Sequence, residues 1–130
     1  MLTTKQIEWM RRQQNRGKEF YYVGYYIDIA GHFILKPGTT SDLLRRYKEH
    51  NRDYPKSAHN PMKSGTTFEY LWFIPLSKYT TLRIEDRMKE IFKEQNFGEY
   101  QNNDRFVFDI PPAQVEIKVR KTYTIPIYAI

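Results

Sequence analysis

The sequence predicts an α+β fold, in which a small mixed or antiparallel sheet opens with a β-hairpin and is flanked by helices. Three observations carry this expectation. Residues 19–29 are dense in Tyr, Phe, Val and Ile, and after Ala30-Gly31 a second apolar stretch runs from His32 to Lys36, which is hairpin chemistry. Residues 81–95 place Ile84, Met88, Ile91 and Phe92 on one stripe at helical spacing. With 130 residues, 40% apolar and 16% aromatic, the chain can build one core, whereas two ordinary domains would strain its length.

Thr3 and Gln6 have capping-box spacing ahead of a polar, basic helix that should end near Gly17. Its apolar content (Ile7, Trp9, Met10) is thin, which predicts a surface position. The first strand follows, and Gly24 inside it signals a bulge or a close backbone approach. The strand returning from the turn is expected to break at Pro37-Gly38-Thr39-Thr40. Thr40 or Ser41 then caps a helix running to about His50, with Asp42 in its first turn, where a negative charge complements the helix dipole. Residues 51–66 read as a polar loop with two prolines, and Thr67–Ile74 as a third strand. The helix over 81–95 comes next. Asn102-Asn103-Asp104 is turn chemistry, and Arg105–Ile110 alternates as a strand. In the tail, Val115, Ile117 and Val119 alternate like a strand, while Pro126 suits only an edge. The whole, 1–130, reads as one domain: a basic N-terminal helix over 1–18, a core over about 20–110 and a C-terminal extension over 111–130.

Composition narrows the function classes. Cysteine is absent, which excludes a disulfide framework, a cysteine nucleophile and a thiolate metal site within these residues. The longest apolar run, Leu71–Leu76, is far short of the roughly 20 residues of a bilayer span, so no membrane segment is expected. Residues 1–17 contain no apolar signal-peptide core, and an intracellular location, cytoplasmic or nuclear, is expected. Formal net charge is +6, all of it in the first half: residues 1–19 carry +3, 20–35 carry −1, 36–65 carry +4, and 66–130 balance. A basic surplus favours polyanions through counterion release.

The helix starting near residue 41 holds the most informative constellation. Leu43, Leu44 and Tyr47 define its buried stripe, and Arg46 and His50, four apart, share one flank of it. A guanidinium fork and a group that exchanges protons near neutral pH, side by side after a Gly-containing turn, suit phosphate chemistry; the same pattern is also that of an ordinary solvated helix edge. Glu85 lies at the border of the later helix's apolar stripe, where a carboxylate can serve as metal ligand or general base or be a plain surface residue. Asp86, Glu90 and Glu94 point towards water. Tyr21, Tyr22, Tyr25 and Tyr26 crowd the first strand, most of them as packing. About a thousandth of an unperturbed tyrosine is ionised at pH 7, so a tyrosine that activates water needs help from a cation or a metal-bound water.

The order of these pieces carries a resemblance. Gly24-Tyr25-Tyr26, then Lys36-Pro37-Gly38-Thr39-Thr40, then Asp42 to His50, resembles the GIY-YIG nuclease signature, closest to a variant subfamily found in phage and viral proteins whose second motif reads Lys-x-Gly-x-Thr. Under it, Arg46 falls eight residues after the motif glycine, His50 four further on, and Glu85 on the family's metal-holding helix glutamate. Asn103-Asp104-Arg105-Phe106 resembles the subfamily's short acidic-aromatic motif, and Asn102 or Asn103 stands for an asparagine many members carry nearby. The similarity covers about 20–110. Two departures stand out: Lys36 replaces the second-motif tyrosine, and Pro37 removes a backbone donor beside it. Tyr25 gives the more usual spacing to Gly38 and Tyr26 fits the Gly-x-Tyr text; since adjacent strand residues face opposite ways, only one can point into the site.

The resemblance implies a divalent-metal-dependent DNA endonuclease. Glu85 would hold Mg²⁺ or Mn²⁺, Tyr25 or Tyr26 would take a proton from the attacking water, and Arg46 would stabilise charge on the phosphate. His50 would orient or relay the proton, and Lys36 would lower the tyrosine's pKa. DNA backbone contacts are expected from Gly38, Thr39, Thr40, Arg45, Lys48, Arg52, Lys56, Lys63, Asn102 and Asn103, positioning the duplex rather than reading it. Specificity would come from a targeting partner, a homodimer or the shape of the substrate. The alternatives are a catalytically inactive nucleic-acid-binding module on the same fold, suggested by the missing second-motif tyrosine, and a protein-interaction role suggested by the aromatic tail Tyr123–Ile130.

Overall fold

The computed structural model describes residues 2–14, 19–76, 86, 89–90, 98–101, 105–108, 114 and 128–129. Helix α1 (Thr4–Gln14) leads into strands β1 (Glu19–Ile27) and β2 (Phe33–Thr40), helix α2 (Leu43–Asp53), a 3₁₀ turn (Tyr54–Lys56) and β3 (Glu69–Leu76). Short strands β4 (Gly98–Gln101), β5 (Arg105–Phe108) and β6 (Tyr128–Ala129) follow. The strands form one sheet in the order β4-β5-β2-β1-β3-β6, every described pairing being antiparallel. The architecture is α+β.

The hairpin sets the register of the whole sheet. Asp28 closes its turn: one carboxylate oxygen accepts from the Ala30 and His32 amides at 3.0 and 2.8 Å, and the other from Asn60 Nδ2 at 3.1 Å. From that turn the β1–β2 pairs run without interruption from Ile27↔Phe33 through Tyr22↔Gly38 to Phe20↔Thr40. The expected strand break at Pro37-Gly38-Thr39-Thr40 is therefore corrected, since β2 continues through all four residues. Proline is tolerated because the described β5 ladder stops at Leu35, so among the described residues β1 alone pairs with β2 at position 37.

Gly24 sits where the β1–β3 register shifts, and the bulge brings the Phe68 ring and the Glu69 carbonyl directly onto its Cα. Any side chain here would collide with that ring. The apolar core on one face joins Phe20, Tyr22, Tyr26 and Ile34 with Leu43 and Leu44 of α2, Tyr54, Phe68, Tyr70 and Phe73. Tyr21, Val23, Leu35, Trp72 and Ile74 are buried as well.

Helix α1 has the predicted capping box: Gln6 Oε1 accepts from the Thr3 amide at 2.7 Å and Thr3 Oγ1 from the Gln6 amide at 3.2 Å. Its thin apolar side is put to full use, with Met10 buried and the Trp9 ring 4.9 Å from that of Phe73. Helix α2 is capped by Asp42 rather than Thr40 or Ser41, through an Arg45 amide bond of 2.9 Å to Asp42 Oδ1. Thr40 instead belongs to β2, where its hydroxyl accepts from the Asp42 amide at 3.0 Å and donates to the Asp42 carbonyl. Helix α2 also runs three residues past His50, to Asp53. Two side-chain bonds pin it to the start of β3: Tyr70 Oη donates to the Leu43 carbonyl at 2.7 Å, and Asn51 Oδ1 accepts from the Phe68 amide at 2.8 Å.

The segment 57–66 is tied to the hairpin by the Asp28↔Met62 bridge and by Ile29 and Lys63 backbone bonds. Strand β4 was not anticipated by the sequence pattern, its four residues containing Gly, Glu and Gln. Asp86 and Glu90 are helical and exposed, as expected. Most of the helix expected over 81–95, the turn at 102–104 and the alternation at 115–119 lie outside the described residues.

Candidate functional site

Strand β1 and helix α2 converge on one polar cluster inside an aromatic wall. Tyr22 Oη lies 2.7 Å from His50 Nε2, and Arg46 Nε donates to the same phenolic oxygen over a long 3.4 Å. Arginine carries donors only, so the phenolic oxygen accepts from Arg46. The phenolic proton then points to His50 Nε2 in the tautomer with the ring proton on Nδ1. The imidazole stacks on Tyr54 with ring centroids 4.6 Å apart and planes 8° apart, and Phe68 closes on it at 4.7 Å. Tyr70 meets Tyr22 edge-on at 5.2 Å.

Electrostatics follow from that wall. Burial, then the nearby Arg46 and Lys36 charges, push the His50 pKa down to about 3, so the ring is neutral at physiological pH. Burial likewise raises the Tyr22 phenol, with Arg46 pulling the other way, so the phenol is protonated. The cluster is graded in exposure. Tyr22 and His50 are 1% and 4% exposed, whereas the Arg46 side chain is 42% exposed at the rim. Arg46 Nη1 is held by Glu49 Oε2 at 2.9 Å, and Arg45 Nε by Glu49 Oε1 at 3.3 Å.

Gly38 explains how the phenol fits. It is the cross-strand partner of Tyr22, and a Cβ built there would lie 2.5 Å from Tyr22 Oη and 2.7 Å from Cζ. The second-motif glycine thus leaves space for this tyrosine.

The structure brings together Arg46 and His50, with Lys36 close enough to act on the imidazole charge, but it places neither expected tyrosine with them. Tyr25 lies elsewhere in the sheet. It pairs with Leu35, edges onto Phe33 at 6.4 Å and, by strand alternation, faces opposite to Tyr22. Tyr26 shares the Tyr22 face but sits four residues along, roughly 13 Å at strand rise. Its hydroxyl donates to the Asn60 carbonyl at 2.8 Å, and its ring stacks on Tyr54 at 4.6 Å. Tyr22 is the residue the sequence reading left among the packing tyrosines. The signal that finds it is register, because counting pairs outward from the 28–32 turn puts Tyr22 opposite Gly38.

Of the expected backbone-contacting residues, Arg45, Lys48, Arg52, Lys56 and Lys63 are exposed, Arg52 paired with Asp53 at 2.8 Å. Gly38 and Thr39 are half-buried. Thr40 is buried and its hydroxyl serves the turn into α2. Glu85, Asn102 and Asn103 lie outside the described residues. Among the described residues no group of three or more His, Asp or Glu is arranged to hold a metal ion. Near the cluster, His50 Nε2 is engaged by Tyr22 and the Glu49 carboxylate is shared by two guanidiniums, so these residues do not form a cation site by themselves. Among the described residues, too, no helix is long and apolar enough to cross a membrane.

A scan against protein-family models and searches of curated proteins and of solved structures return no significant match.

Proposed function

We propose that the protein is an endonuclease that hydrolyses DNA phosphodiester bonds at the Tyr22–Arg46–His50 cluster. The observation that carries this is the convergence of a phenol, a guanidinium and a neutral imidazole on one oxygen, at the rim of a basic domain, from sequence positions matching the Arg and His of the nuclease signature. Arg46 offers a half-exposed fork to the non-bridging oxygens of a phosphate. Tyr22 passes its proton towards His50 Nε2 as its oxygen takes one from an attacking water. The depressed His50 pKa opposes that transfer in the free protein. A phosphate seated on Arg46 offsets one of the two cationic charges that add to burial in depressing it, so substrate binding moves the His50 pKa upward while burial continues to hold it below its ordinary value. Divalent-metal help, with Glu85 as ligand, is carried over from the resemblance alone.

The test is nicking of supercoiled plasmid with Mg²⁺ or Mn²⁺. Wild type is expected to nick, and Arg46→Ala and Glu85→Ala each to lower the rate at least a hundredfold, the usual scale for losing a transition-state contact. Full activity in both variants contradicts the proposal.

A second reading has its own observation. Tyr22 and His50 are almost wholly buried, as befits a polar network that fixes α2 on the sheet. On that reading the fold is a nucleic-acid-binding module without turnover, and it predicts salt-dependent DNA binding with no cleavage under any divalent ion.

A further inference from the structure

We infer that the Arg45 and Arg46 guanidiniums form a phosphate subsite that Glu49 fills in the ligand-free protein, so that a nucleic-acid phosphate enters by displacing the Glu49 carboxylate. The inference rests on the nucleic-acid reading above and deepens it by naming the first group the substrate meets.

The geometry is that of an occupied anion site. Each Glu49 oxygen engages a different guanidinium, Oε2 on Arg46 Nη1 at 2.9 Å and Oε1 on Arg45 Nε at 3.3 Å. Two oxygens of one phosphate bridge two arginines in the same way, because carboxylate and phosphate fit the same donor fork. The location ties this spot to the chemistry, since Arg46 also donates to Tyr22. The contact is open to exchange: the Arg45, Arg46 and Glu49 side chains are 63%, 42% and 26% exposed. Helix-surface pairs at these spacings shift an equilibrium by only about twofold each. A phosphate gains both guanidiniums and releases counterions as well. Among the described residues Arg46 Nη2 has no partner, which leaves a further donor for the incoming anion.

The sign of the effect separates this from a role in holding Arg46 in place. If Glu49 competes with substrate, Glu49→Gln and Glu49→Ala both tighten binding. If it only positions the guanidinium, Glu49→Gln is neutral and Glu49→Ala weakens binding. The experiment is fluorescence anisotropy of a labelled short DNA duplex with the full chain, in EDTA, across a salt series. Glu8→Gln, an exposed acid on α1, controls for overall charge.

Glu49→Gln is expected to bind about three- to tenfold tighter than wild type and Glu8→Gln less than about twofold tighter. The gain should vanish in an Arg45→Ala/Arg46→Ala background. A gain no larger than that of Glu8→Gln, or one that persists without the two arginines, overturns the inference while leaving the nucleic-acid reading intact. Absence of duplex binding in wild type and all variants overturns that reading, and the inference with it.

Discussion

His50 decides how the cluster behaves with pH. Its folded pKa of about 3 lies below the ordinary 6.5, chiefly through burial and then through Arg46 and Lys36. Between those two values the unfolded chain binds a proton that the folded chain does not. Stability linked to His50 is therefore complete above about pH 6.5 and drains away as pH falls towards 3, by on the order of a few kcal/mol. Asp28 adds to the acid loss in a lower window. Burial works to raise its pKa, but the bonds from Asn60 and His32 prevail and lower it, so its contribution disappears as pH falls through the folded value. The check is a His50 ring-proton NMR titration together with unfolding free energies from pH 7 to 4. The ring resonances should stay put to about pH 4, and the slope of stability against pH should be smaller in His50→Asn. A His50 midpoint near 6.5 contradicts this account of its environment.

Helix α2 carries both the Arg46 guanidinium and the His50 imidazole, so its first turn controls the site. Asp42 caps it, and Thr40 at the end of β2 fixes Asp42. Replacing Asp42 with Ala should cost about 1 kcal/mol of stability, the usual loss for a side-chain cap. It should also loosen Arg46 and His50 together, which a thermal melt and the His50 line width read independently. A melt unchanged within error would show that the cap contributes nothing. This element was legible in outline. The Leu43, Leu44 and Tyr47 stripe and the shared flank of Arg46 and His50 follow from helical spacing alone. The identity of the cap was not legible, because Thr40, Ser41 and Asp42 all suit it by chemistry. The choice fell to Asp42 because pairing with β1 extends β2 to Thr40. Strand β4 was illegible for a related reason: Gly98 and Glu99 disfavour strands, one tyrosine does not mark one, and pairing with β5 makes the four residues a strand.

At the scale of the whole molecule, one turn determines which tyrosine meets the helix. The α+β class, the hairpin and the Gly24 bulge could all be read from composition and spacing. The phenol could not, because a motif read as text fixes distances along the chain, whereas the site depends on which residues lie opposite one another across two strands. The Asp28 turn sets that pairing, the sheet propagates it, and Tyr22 arrives over Gly38 while Tyr25 is carried to the other face. The Tyr22–Gly38 match also fits the two strands together physically, since the glycine of β2 makes room for the phenol of β1. Surplus positive charge in the first half then appears on the outer side of α2 as the exposed Arg45, Lys48 and Arg52.

The most direct measurement compares three single substitutions, Tyr22→Phe, Tyr25→Phe and Tyr26→Phe, in plasmid nicking with Mg²⁺ or Mn²⁺, each variant first shown to melt as a folded protein. The account predicts that Tyr22→Phe loses activity by about a hundredfold or more, on the scale of general acid–base assistance, while Tyr25→Phe and Tyr26→Phe stay within a few-fold of wild type. Retained nicking in Tyr22→Phe, or its loss in Tyr25→Phe alone, would contradict it.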